Sequence, residues 1–185
     1  MCIALVLNVV AFPQFNGLLP YVAKDVYHAD QTWLGYMAAG AAGGALLGAL
    51  ALSSYRRAIP VGRMAIVFCV AWCATLLLYA QIQDPVGGIF ALVLAGCAQS
   101  LCNVPLLTLL LRDSEEAFRG RVMGIRMLVI YGNLPGLLLA GVLIPRIGYQ
   151  WTGTLYCVFG ILFIVLITMR WRAHLWRPGA LTNAM

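Results

Sequence analysis

The chain has 185 residues, of which only 18 are charged, twelve basic and six acidic. Charged residues make up 10% and hydrophobic ones 63%, against roughly a quarter charged in an ordinary soluble domain, and the mean hydropathy is +0.90. A soluble domain could not clothe its surface with so few charges, and a disordered chain is poor in these apolar residues, so both classes are excluded.

The charges divide the chain into stretches without any, at 1–23, 31–55, 64–83, 85–111, 127–145 and 147–169. A helix that crosses a bilayer needs about 20 predominantly apolar residues. Six transmembrane helices are therefore expected in one all-α membrane domain over 1–172, followed by a cytoplasmic tail at 173–185. The first stretch opens at Met1 with no basic residue ahead of it and stays apolar to Val22. A signal peptide has a positive n-region and a shorter apolar stretch, so this reads as a true span. A span that opens at residue 1 also leads us to expect the rear part of something longer.

The first span carries Asn8, Gln14 and Asn16, with Pro13 between them and Pro20 near its end. The second carries Gly40, Gly44 and Gly48, a row spaced for close approach of two helix backbones where no hydrophobic effect drives association. The third holds little polar beyond Thr75. Its Cys69 and Cys73, at i and i+4, share a helix face. The fourth carries Gln99, Ser100, Asn103 and Thr108 with Pro105. The fifth repeats the small-residue device with Gly132, Gly136 and Ala140, and adds Pro135. Amides and interior prolines thus pair up in the first and fourth spans, three apart. Two related three-helix units, each led by a cavity-lining helix, produce that pattern. Amides are costly in hydrocarbon and mark an interior or a pathway. Asn8, Gln14, Asn16, Gln99 and Asn103 are therefore the expected cavity wall, with bonding to neighbouring helices as the plainer alternative. Gly40, Gly44, Gly48, Gly132, Pro135 and Gly136 are the expected packing or sliding contacts.

No Asp or Glu lies in any of these stretches, so the titrating group that proton coupling needs inside the membrane is not visible. The six cysteines all fall in spans and are read as small packing residues rather than a disulfide framework. No metal, cofactor or catalytic site is expected. A rhomboid-like protease would need Gly-x-Ser-x-Gly and a membrane histidine, and the chain has neither. The loops decide orientation. Those after the second and fourth spans, together with the tail, hold ten basic residues against two on the other side. Cytoplasmic segments are the basic ones, so both termini are expected in the cytoplasm, with the chain in the plasma (inner) membrane. A nucleic-acid reading fails because the basic residues are split over short loops. The run Arg112-Asp113-Ser114-Glu115-Glu116-Ala117-Phe118-Arg119-Gly120-Arg121 reads as a capped surface helix. Its sharper reading makes Arg119 and Arg121 a charge latch toward a partner half.

Phe12-Pro13-Gln14-Phe15-Asn16-Gly17-Leu18-Leu19-Pro20, the glycine row of the second span, Arg119-Gly120-Arg121-Val122-Met123-Gly124 and Gly132-Asn133-Leu134-Pro135-Gly136 together resemble the major facilitator superfamily. They resemble most the C-terminal six-helix half of its drug- and siderophore-exporter-like members. The resemblance implies half of a twelve-helix fold, built as a 3+3 inverted repeat that rocks about a midplane site. It implies that the first and fourth spans line the cavity, and that the Gly/Pro stretch of the fifth is similar to a motif antiporters carry in their other half. The family's cytoplasmic signature keeps its basic residues here, Arg56, Arg57 and Arg63, but not its acid. The expected function is alternating-access transport, with efflux of a small amphiphilic molecule. The expected partners are that molecule, the bilayer and a second six-helix half, either a missing N-terminal half or a second copy. The alternative is a non-transporting partner subunit or inactive fragment that associates through its glycine faces.

Overall fold

In hydrocarbon a backbone N–H or C=O finds no water, so a spanning segment must satisfy itself internally, as a helix does. The computed structural model, which describes residues 2–54, 61–112 and 118–170, is helical throughout its regular structure. The tail at 173–185 and the residues Arg56, Arg57, Asp113, Glu115 and Glu116 lie outside the described residues.

Six stretches are long and apolar enough to cross a membrane: Leu5–Val26, Gln31–Ser54, Met64–Gln81, Pro85–Thr108, Gly120–Ile147 and Tyr149–Arg170. The first is segmented into α1 (Cys2–Phe12), a π-helical turn (Pro13–Gly17), α2 (Leu19–Tyr21) and a second π-helical turn (Val22–Val26). Proline has no N–H and cannot donate one turn back. The chain widens around Pro13 and Pro20 instead, with Leu18 N–H reaching Pro13 O (2.8 Å) and Tyr27 N–H reaching Val22 O (2.9 Å). Three unbroken helices follow, α3 (Gln31–Ser54), α4 (Val61–Gln81) and α5 (Pro85–Arg112). Asp84 caps α5, its Oδ2 accepting from Gly87 N–H at 2.9 Å. The fifth span is again divided, into α6 (Arg119–Tyr131) and α7 (Asn133–Ile147) about Gly132, because Pro135 withholds the donor that Tyr131 O would accept. Gly148, at φ +82°, turns the chain into α8 (Tyr149–Arg170), a left-handed conformation that suits glycine.

The fifth span starts at Gly120, not at 127 as charge spacing predicts. Arg121 and Arg126 belong to the helix end rather than to the loop, where their long stems can run along apolar surface while the heads reach the interface.

α4 is the spine of the bundle. Cys69, Trp72, Cys73, Leu76 and Tyr79 are all fully buried, and their three- and four-residue spacing makes one face. Phe12 and Phe15 of the first span meet the Trp72 ring edge-on, at 5.4 and 6.1 Å between centroids. The principal interfaces join the second span to the fourth, the third to the fourth, the third to the sixth, the first to the sixth and the first to the fifth. Exchanging spans one to three for four to six maps this set onto itself, as two interlocked three-helix units require. The outer faces carry Phe90, Leu128, Leu138 and Trp151 at 67% exposure or more. Patches of that kind are disfavoured in water and are the natural face toward lipid.

Candidate functional site

Gln99 and Asn103 stand one turn apart on α5 and so share a face; both are half-buried. Asn16, in the π-helical turn of the first span, is exposed. These three amides lie at least partly outside the packed core. Asn8 and Gln14 do not. Asn8 is 7% exposed and Gln14 only 1%. The Gln14 amide donates to Leu76 O on α4 at 3.4 Å, and its oxygen accepts from the Cys157 thiol on α8 at 3.2 Å. A side chain at Gly153 on α8 would collide with the Gln14 Nε2, 2.7 Å from where its Cβ would sit. Of the five amides expected as a wall, Asn8 and Gln14 are thus buried inside the bundle. Residues two apart on a helix point nearly opposite ways, at about 100° per residue, so Gln14 and Asn16 cannot share a face. With Asn16 outward, Gln14 becomes a bonded junction among the first, third and sixth spans. A shallow crevice lined by Pro13, Gln14, Leu18, Thr152, Gly153 and Tyr156 leads down to it.

The small-residue rows sit at two helix pairs related by the exchange of units. On α3, Gly44 faces Val93 O so closely that no Cβ could be placed there. Gly48 leaves 2.6 Å to Cys97 O, and Gly40 leaves 3.1 Å to the Ile89 side chain. From the other side Gly96 abuts Ala41 O, and Ser100 donates to Ala45 O at 2.7 Å. In the second pair, Gly136 of α7 abuts Val9 O, with the Pro13 ring 2.7 Å from where its Cβ would be. The Tyr156 hydroxyl donates to Gly136 O at 2.6 Å. Gly132 is the joint between α6 and α7 rather than a tight contact, its nearest neighbour on another helix being Val9 at 3.7 Å. Pro135 is exposed. Ser100 was legible in the sequence, because Gly96 and Ser100 repeat the small-xxx-small spacing.

The cysteines depart from their expected role as packing residues alone. Cys69 on α4 and Cys102 on α5 form a disulfide with 5.2 Å between their Cα atoms, a separation suited to such a bond. Cys73, Cys97 and Cys157 are free. The i, i+4 spacing of Cys69 and Cys73 drew attention to the wrong pair, because the partner lies on another helix whose register no local pattern reveals.

At one end of the bundle, Tyr27 closes the first span onto the turn before α5. Its hydroxyl donates to Ile82 O at 3.0 Å and crowds Gly88, 2.6 Å from where a Cβ would stand. Burial, helped by the Asp84 carboxylate, pushes this hydroxyl up from 10.0 to about 12. At the other end the Arg121 guanidinium lies 5.5 Å over the Phe118 ring, a cation–π contact. The side chain of Arg119 lies outside the described residues.

The family model of the Major Facilitator Superfamily matches residues 1–134. The chain belongs to the major facilitator superfamily. That membership makes it a multi-pass membrane transporter by class, and the all-helical bundle with its six apolar spans is consistent with the fold of this superfamily. No curated protein and no solved structure matches this superfamily member significantly.

Proposed function

We propose that this chain supplies one half of an alternating-access exporter for a small amphiphilic molecule, and corresponds to the C-terminal half of a drug- or siderophore-exporter-like member. The observation that carries the reading is that Asn16 on the first span is exposed and Gln99 and Asn103 on the fourth are only half-buried. Amides left partly open on an otherwise apolar surface belong against water or another protein, not lipid. These three residues form the wall, with Asn8 and Gln14 behind it as packing groups. The glycine pairs provide the contacts that let helices shift against each other. The basic loops point to cytoplasmic termini in a plasma (inner) membrane, with Arg119 and Arg121 facing a second six-helix half. Coupling then comes from that other half, because Asp25, in the last turn of the first span, is the one carboxylate within the described spans.

The test uses single cysteines at Asn16, Gln99 and Asn103, with a membrane-impermeant thiol reagent applied to vesicles. Labelling at these three sites, against none at the lipid-facing Leu128 and Leu138, is the expected result. Silence at all three sinks the wall.

A further inference from the structure

The Cys69–Cys102 disulfide joins the last span of one three-helix unit to the first span of the other. Both residues are 0% exposed. Cys102 immediately precedes Asn103 and lies three residues after Gln99. Three residues beyond it stands Pro105, inside α5, where the missing N–H deprives Leu101 O of its helix donor and makes the turn easier to bend. The covalent tie therefore sits between the spine of the bundle and the root of a weak turn, at the level of the two amides. A tie at that place fixes both the rotation of α5 about its axis and its slide along α4.

We propose that the Cys69–Cys102 bond is a redox-set clamp that positions Gln99 and Asn103. The proposal rests on the reading of those amides as part of a substrate wall. Closing the clamp converts two S–H groups into one S–S bond, and two protons and two electrons leave. Both residues are closed to lipid as well as to water in the packed bundle, so the exchange takes place when α5 parts locally from α4, and the acceptor is a lipid-soluble two-electron oxidant of the quinone class, which departs as the hydroquinone. Opening reverses this with a lipid-soluble dithiol, which becomes a disulfide as the two cysteines regain their hydrogens. With the clamp open, α5 is free to turn at Pro105, and the amides change their presentation to water.

The experiment compares two backgrounds in membrane vesicles. One lacks Cys2, Cys73, Cys97 and Cys157 but keeps the clamp; the other also carries Cys69→Ala and Cys102→Ala. Gln99→Cys, Asn103→Cys and, as a remote control, Asn16→Cys are introduced singly, and labelling rates with an impermeant maleimide are measured. Rates at Gln99→Cys and Asn103→Cys should differ between backgrounds by at least about fivefold, the low end of coupling between linked sites, while the rate at Asn16→Cys stays the same. Equal rates at Gln99→Cys and Asn103→Cys overturn the clamp and leave the wall standing. Absence of labelling at all three positions in both backgrounds overturns wall and clamp together. Should the alanine background not fold, the clamped one is treated with a lipid-soluble dithiol and the rates are read by peptide mass spectrometry before and after. In untreated membranes from aerated cells, alkylation under denaturing conditions should leave Cys69 and Cys102 unmodified until reduction. Free thiols at both positions overturn the proposal.

Discussion

Two helix pairs in this bundle do the same job with different backbones. The second and fourth spans meet as unbroken helices, Gly44 against Val93 O and Gly96 against Ala41 O. The first and fifth spans meet through Gly136 and Val9 O, but both are segmented, one at Pro13 and the other at Gly132. Contact chemistry is therefore not what separates them. The difference lies in whether the backbone can yield, and the segmented pair can shift by adjusting turns that already lack regular hydrogen bonds. The stiff pair is packed along the part of α5 that precedes Pro105, so Gln99 and Asn103 stand on a straight helix just short of its own weak turn, and the yielding pair holds the turn that carries Asn16.

The sharpest way to break this contrast is Gly44→Leu, which forces a side chain into a backbone carbonyl with no room on either helix. Overpacking should destabilise the bundle by about 3 kcal/mol, read by circular dichroism during unfolding in sodium dodecyl sulfate mixed micelles. Gly43→Leu, at an exposed glycine with open space around it, should leave the curve where it was. The finer comparison is alanine at both carbonyl notches. Gly44→Ala should cost about 2 kcal/mol and Gly136→Ala about 1 kcal/mol, because the segmented helices give way; equal losses would show that segmentation does not soften the second pair. Gln14→Leu removes two interhelical hydrogen bonds behind the yielding turn and should cost about 1 kcal/mol. Its effect on labelling at Asn16→Cys should exceed that at Gln99→Cys.

The smallest effect is confined to high pH. Tyr27 donates to Ile82 O only while protonated. Its hydroxyl is raised in the folded chain, so the contribution is intact below pH 10 and is lost as pH rises toward about 12. Tyr27→Phe should remove that portion of the alkaline loss, and a pH titration of bundle stability for both chains compares them directly.

Much of the frame was legible because charges are excluded from hydrocarbon, so their spacing marks the spans. Breaks were partly legible. Pro13, Pro20 and Pro135 interrupt helices, whereas Pro105 and Pro145 sit inside continuous ones. A proline states that one hydrogen bond is missing, not whether neighbouring packing will hold the helix in line. The direction of an amide was less legible still. Asn8, Gln14 and Asn16 share a span and a residue class, yet only Asn16 turns outward, and that follows from helical phase rather than from composition. The Cys69–Cys102 pairing was hidden altogether, because it depends on the register between two helices that no short pattern encodes.

The interlocking of the two units also bears on synthesis. The glycine face of α3 finds its partner on α5, and the Val9 carbonyl finds its own on α7. While the ribosome is still making the later spans, the first three must therefore wait in the bilayer with the Gly44 notch empty and the Val9 carbonyl unmatched. The bundle cannot be assembled one unit at a time, and the arrival of the fourth and fifth spans is the step at which the protein becomes itself.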